Sequence, residues 1–320
     1  MQEADANPRR PNTPKTLRRQ QSPAITCGAS ACHLACYDSP VPAARIHHLN
    51  CATMCPPLGR LVSGGGPWLG RGLLIAHVLL VETDRGLVLV DAGYGTADVE
   101  PPGRLPPFIR AVTAPRLDPG ETALARVREL GFDPRDVRHL VVTHLDPDHA
   151  GGISDFPWAT VHLHARELEA ARRPTRRTRM RYLAAQLDGH ERWQTYSGEG
   201  EPWMGLSAVR PLDGLDGDLA LVPLFGHTHG HSGVAVRGAH GWLLHAGDAY
   251  YHRDELDSTQ PPLLRLFQRA TDHDPATRRR SQAGLRQLAR EHAGEVEVFC
   301  AHDPVELERL RGLAHAAVPR

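Results

Sequence analysis

The stretch Thr143-His144-Leu145-Asp146-Pro147-Asp148-His149-Ala150-Gly151-Gly152 decides the fold, because it sets two imidazoles and two carboxylates within six residues. Just before it runs Val137-Arg138-His139-Leu140-Val141-Val142, a β-rich apolar run that predicts a buried strand. Pro147 and the Gly151-Gly152 pair then stop the chain from continuing that strand. The four polar side chains therefore belong on a tight loop at a strand end. Neutral imidazole and ionised carboxylate both ligate divalent first-row metals; a solvated acidic turn is the plainer alternative.

Outward from this loop the same grammar recurs: an apolar β-run, then a Gly- or Pro-marked loop carrying His or Asp. Residues 73–82 predict a strand, Thr83-Asp84-Arg85-Gly86 a hairpin turn, and 87–91 a returning strand that ends at Asp91 before Gly93. Residues 121–130 predict a helix with Leu124, Val127 and Leu130 on one face and Gly131 as its stop. In the strand 160–164, His162 and His164 share a face. No carboxylate accompanies them, so they read as a polar sheet edge rather than a metal pair. Further on, the run 219–224 breaks at Gly226-His227-Thr228-His229-Gly230-His231, and the strand 242–245 ends at Ala246-Gly247-Asp248. A helix over 278–291 leads to a last strand, 296–300, and then Ala301-His302-Asp303-Pro304. Candidate ligands thus stand at four strand ends.

Composition narrows the function classes. The formal net charge is zero, which argues against a dedicated nucleic-acid or membrane-surface protein. No stretch approaches the roughly 18 apolar residues of a membrane span. Lys15 is the only lysine, so Schiff-base chemistry is not expected. Residues 1–43 are rich in Pro, Arg, Gln and Asn and predict a disordered tail without a secretory leader; the expected location is the cytoplasm. Cys32/Cys36 and Cys51/Cys55 are too loosely spaced for a typical zinc knuckle and read as incidental or structural thiols. Residues 165–216 are the least regular part of the folded region, 44–320, and carry Arg172, Arg173, Arg176, Arg177, Arg179 and Arg181. They read either as a solvated basic helix with its loop or as a cap that selects an acidic or acyl substrate.

The four loops, in this order and spacing, resemble the metallo-β-lactamase superfamily, whose members bind one or two metals at one edge of an αββα sandwich. The first motif of that family is His-x-His-x-Asp-His; here it reads His144-x-Asp146-x-Asp148-His149, with aspartate in place of the second histidine. Gly226-His227-Thr228, Gly247-Asp248 and Ala301-His302-Asp303 match the later ligand loops, and Val90-Asp91-Ala92-Gly93 the upstream turn whose aspartate supports the site. The resemblance implies a single α/β domain with His144, Asp146 and His227 around one metal and Asp148, His149 and His302 around another. Asp248 would lie between them, and His229 and His231 would be outer or surface residues. Two divalent metal ions are implied, zinc first. The carboxylate of Asp146 makes the first site more anionic and so more tolerant of iron or manganese.

The motif pattern is nearest to the acyl-homoserine lactonases. The implied function is a dinuclear hydrolase whose metal-bridged hydroxide cleaves an ester, lactone or thioester carbonyl of a small molecule. Asp148 would orient the nucleophile. Tyr251, three residues after Asp248, would donate to the reacting oxygen, with Tyr250 as its immediate neighbour. Alternatives within the same superfamily are an iron-dependent oxidoreductase, supported by Asp146 alone, and a small-molecule phosphodiesterase. Neither nucleic acid nor membrane is an expected partner, and a homodimer is the candidate assembly.

Overall fold

The computed structural model describes residues 44–59, 70–101, 103–198, 200–215, 217–257 and 262–316. The tail read as disordered and Cys27, Cys32 and Cys36 lie outside them. Among the described residues twelve strands form two six-stranded sheets. The first runs in the order β1 (Arg45–Met54), β2 (Leu74–Thr83), β3 (Gly86–Val90), β4 (Val137–Val141), β5 (Thr160–His164) and β6 (Trp193–Tyr196). The second follows the reverse of chain order from one edge to the other: β12 (Val296–Phe299), β11 (Gly241–His245), β10 (Ser232–Gly238), β9 (Leu219–Pro223), β8 (Leu206–Pro211) and β7 (Glu201–Trp203). β3 to β6 pair in parallel, as do β11 and β12, while the remaining neighbours are antiparallel.

The near-continuous apolar runs follow from burial of both faces of each sheet. Leu79, Val81, Val88 and Val90 meet Leu219, Leu221, Val234, Val236 and Phe299 in the layer between the sheets. Their alternate neighbours Val78, Leu80, Leu87 and Leu89 point the other way, onto Ala123 and Val127 of α1 (Ala123–Glu129) and onto Ile153 and Phe156. Behind the second sheet, Val222, Ala235 and Leu244 pack with Leu285 and Leu288 of α4 (Pro275–Glu291). Three further helices matter below: α2 (Ala165–Arg172), α3 (Pro262–Thr271) and α5 (Pro304–Ala316). The result is helix, sheet, sheet, helix: the αββα sandwich.

Three expectations change. Residues 51–72, rich in Gly and Pro, read from sequence as a loop, yet β1 continues to Met54, with Cys51 buried in it and its thiol pushed up to about 12 by burial. β5 is flanked by β4 and β6, so His162 is not at a sheet edge. It is buried, 2.9 Å from His139 and 2.8 Å from the Tyr196 hydroxyl, and burial lowers its pKa to about 4. His164 accepts the Arg166 N–H at the start of α2. Finally, the segment 165–216 is partly sheet: β6 closes the first sheet, and β7 and β8 extend the second. These strands are short, and the arginine run before them masks their alternation.

Candidate metal centre

All four ligand loops open at one end of the sandwich, where β4, β9, β11 and β12 finish, and the Asp91 turn after β3 joins them there. Carboxyl ends of parallel strands are where such folds place their ligands. The loop after β4 is locked by close approach: a Cβ on Gly151 would stand 2.2 Å from Asp98 Oδ2, and one on Gly152 2.4 Å from the Ala92 carbonyl. No residue with a side chain fits there.

Asp91 sets the first anchor. It takes φ +61, a left-handed conformation that costs a non-glycine residue free energy and recurs at functional sites. Its buried carboxylate accepts the Thr143 N–H at 2.7 Å, the Thr143 hydroxyl at 2.9 Å and His149 Nδ1–H at 2.8 Å. Because the Thr143 hydroxyl is used as a donor, its oxygen accepts from His144 Nδ1, 3.0 Å away. One aspartate thus orients two imidazoles. His302 follows the same rule, its Nδ1–H donating to the Ile75 carbonyl at 2.7 Å. His227 Nδ1 faces Asp272 Oδ1 at 3.4 Å. In each of the four, Nδ1 is turned outward and Nε2 inward, the arrangement that fixes the tautomer of a ligating histidine.

The inward atoms converge on Asp248. Its Oδ1 lies 3.2 Å from His149 Nε2 and 3.0 Å from His302 Nε2; its Oδ2 lies 3.4 Å from His227 Nε2 and 3.7 Å from His144 Nε2. Asp146 Oδ2 lies 3.1 Å from His227 Nε2 and 3.4 Å from His144 Nε2. Asp148 Oδ2 lies 3.7 Å from His302 Nε2 and 3.9 Å from His149 Nε2. Two groups result, His144–Asp146–His227–Asp248 and Asp148–His149–His302, each with ligand atoms within 4.8 Å of one another.

The donor set fits metal. His144 Nε2, His149 Nε2 and Asp248 Oδ1 are buried and make no hydrogen bond. With the Nδ1 protons directed away, these atoms present lone pairs to one another, an arrangement that only positive charge between them makes favourable. The electrostatics agree. Burial opposes ionisation of Asp248, yet His302, His149 and His144 outweigh it and hold the carboxyl well below the usual range. Burial likewise opposes a charged His149, yet Asp248, Asp91 and Asp148 push its pKa well above the ordinary value.

Several supports carry no motif. Glu167, at the start of α2, is buried and ties two ligand loops together: Oε1 accepts the Leu145 N–H at 3.1 Å and Oε2 the Gly230 N–H at 2.8 Å. His231, held as an outer residue from the sequence, is fully buried. Its Nδ1–H donates to the Leu224 carbonyl and its Nε2 accepts the Asp248 N–H, both at 2.8 Å. His229 instead stacks on His273 with ring centroids 3.5 Å apart. Arg278, also buried, donates to Asp272 Oδ1 and to the Asp248 carbonyl, each at 2.7 Å, and to the Ala249 carbonyl at 3.1 Å. The contacts Glu167–Leu145, Glu167–Gly230, His229–His273 and Arg278–Asp248 do not show in spacing, because each joins segments more than twenty residues apart.

The two tyrosines separate cleanly. The Tyr250 hydroxyl donates to Glu306 Oε1 at 3.0 Å within the second core. The Tyr251 hydroxyl lies 3.5 Å from His227 Nδ1, and its ring stands 5.1 Å from that of His302, with the Arg278 guanidinium 4.8 Å over it. Tyr251 therefore borders the centre and Tyr250 does not. Among the described residues no cysteine joins a ligand group.

The family model of the metallo-beta-lactamase superfamily matches residues 71–293, which span every ligand loop except that of His302. The chain belongs to the metallo-beta-lactamase superfamily. It is a metal-dependent hydrolase of that superfamily. It is 42% identical over 266 residues to the probable metallo-hydrolase Rv2300c of Mycobacterium tuberculosis, covering 82% of this chain and 81% of the relative. It is 31% identical over 227 residues to the N-acyl homoserine lactonase AttM of Azorhizobium caulinodans, covering 70% of this chain and 80% of that protein. In fold it is similar to an N-acyl homoserine lactone hydrolase solved with N-hexanoyl-L-homoserine at its catalytic metal centre. The TM-score is 0.62 at 19% identity, over 84% of this chain and 97% of the other. Among the described residues no helix is long and apolar enough to cross a membrane.

Proposed function

We propose that this superfamily member is a dinuclear hydrolase of small-molecule carbonyl esters, with lactones as the first substrate class. The observation that carries the reading is the Asp248 carboxylate, whose two oxygens face two different histidine pairs. His144, Asp146, His227 and Asp248 would hold one cation; Asp148, His149 and His302, with Asp248 shared, would hold the other. When bound, such a pair supplies a water of lowered pKa and a Lewis acid for the carbonyl.

The chain's own groups do the rest. Burial raises the Tyr251 hydroxyl well above its ordinary pKa, so it stays protonated and available as a donor. Beside His227 it can donate to the oxygen on which charge develops or to the departing oxygen. Arg278 fixes its ring from behind. Asp148 is the ligand-group carboxylate with most access to solvent, its side chain 16% exposed, and can orient a water and accept its proton. The lactone preference draws on Tyr251 and on likeness to relatives named as N-acyl homoserine lactonases. Zinc is the proposed metal, given the imidazole-rich donor set. Residues 173–192, between α2 and β6, are proposed as the cap remaining from the 165–216 segment.

The test is metal quantification of the purified chain followed by turnover of a panel of lactones, thioesters and phosphodiesters. Two zinc per chain with lactone turnover is the expected result. Turnover of phosphodiesters alone would replace the carbonyl reading.

A further inference from the structure

Asp146 raises a charge problem that Arg181 answers. An imidazole at this place would be a neutral ligand; the carboxylate adds a negative charge beside Asp248. Arg181 Nε lies 2.9 Å from Asp146 Oδ1, leaving Oδ2 to face His144 and His227. The two side chains are nearly buried, at 14% and 13% exposed. The guanidinium is also held elsewhere: Nη1 donates to the His227 carbonyl at 2.7 Å and Nη2 to the Thr271 carbonyl at 3.0 Å. It is thus a fixed fork joining the 144–149 loop, the 226–231 loop and the end of α3. Burial alone would raise the Asp146 pKa; Arg181 and the neighbouring histidines outweigh it and hold the carboxyl well below its usual range.

Two carboxylates and one guanidinium leave the same formal charge as one carboxylate among imidazoles. We infer that Asp146 and Arg181 act as one neutral unit in place of the missing histidine. Arg181 is a positioning residue: it occupies Oδ1, leaves Oδ2 as a single ligand atom, and restores the charge that an imidazole would have given. This inference rests on the metal-binding reading above. It also removes the ground for expecting a hard, iron- or manganese-preferring site, since that ground was the uncompensated charge of Asp146.

The test is a double-mutant cycle on the full chain with D146H, R181M and D146H/R181M. Zinc retained against a chelator is measured, together with the Tm of the metal-stripped proteins. In D146H the guanidinium faces a cation with no carboxylate between, so zinc binding should weaken by about tenfold or more, as for a buried charge that loses its partner. The double variant should recover most of that loss. R181M alone should shift retention from zinc toward manganese, and Arg181→Lys, which keeps charge without the fork, should restore it only in part. In the stripped proteins the Tm effects of the two substitutions should be non-additive. The inference is overturned if D146H binds zinc as well as the wild type, or if the double variant loses what the singles predict by addition. Failure of the wild type to bind zinc would sink the metal-binding reading itself, whatever the coupling seen in the stripped proteins.

Discussion

The two groups of the candidate metal centre are built by different means. Asp148, His149 and His302 hang from strand ends, and the outer protons of both histidines go to fixed acceptors at 2.7–2.8 Å, Asp91 and the Ile75 carbonyl. The half containing Asp146 and His227 leans instead on ion pairs brought in from elsewhere, Arg181 on Asp146 and the Asp272–Arg278 pair beside His227. Of its two histidines, His144 shares the Asp91 anchor through Thr143, 3.0 Å away, while the support of His227 is long, 3.4 Å to Asp272. The lesson is that a site can keep its geometry while one half trades backbone and hydrogen-bond anchoring for charge pairing. The half held by charge should be the more adjustable one.

The largest effect expected comes from the rigid half. His149→Ala should reduce turnover to background and release metal, read by metal analysis and steady-state rates; activity with metal content intact would mean that the ligand assignment is wrong. Next, Tyr251→Phe should lower kcat by about 10–10³-fold with metal content unchanged, the scale of losing one donor to a developing charge. Tyr250→Phe, whose hydroxyl is spent on Glu306, should leave kcat as it is. Equal effects of the two would remove Tyr251 from the mechanism. Comparing the supports sharpens the contrast: Asp91→Asn should cost roughly 10–100-fold in metal affinity, and Asp272→Asn less. The reverse order, measured by chelator competition, would break the distinction between the hydrogen-bonded anchor at Asp91 and the charge-paired one at Asp272.

The smallest effect concerns the segment that leads from β12 to His302. Glu306 on α5 accepts the Cys300 N–H at 2.8 Å, and burial raises its pKa from 4.5 to about 7. The folded chain therefore holds this proton more tightly than the unfolded one, so its contribution to stability is full below about pH 4.5 and falls as pH rises to 7. Glu306→Gln should flatten that dependence and stabilise the fold at pH 8 by no more than about 3 kcal/mol. An unchanged pH profile of Tm would show that Glu306 ionises without cost.

Much of this was legible in the sequence. The strand at 160–164 and the hairpin 73–91 stand close to where periodicity puts them, since both faces of these strands are buried and their residues are chosen for it. The convergence of the candidate ligand loops was legible because metal chemistry restricts residue type and spacing together. Arg181 was visible only as part of an arginine run, and a run does not say which member turns inward. Glu167 and Arg278 gave no signal, because the ligand-loop groups they hold are backbone N–H and carbonyl groups more than twenty residues away. His162 misled for a related reason: nothing local announces that β6 covers β5.

Calorimetric titration of the metal-stripped chain with zinc measures the central claim most directly. Two equivalents per chain are expected in the wild type and fewer than one in Asp248→Ala, because that carboxylate faces both histidine pairs. A single equivalent in the wild type, or two that survive the loss of Asp248, would contradict it.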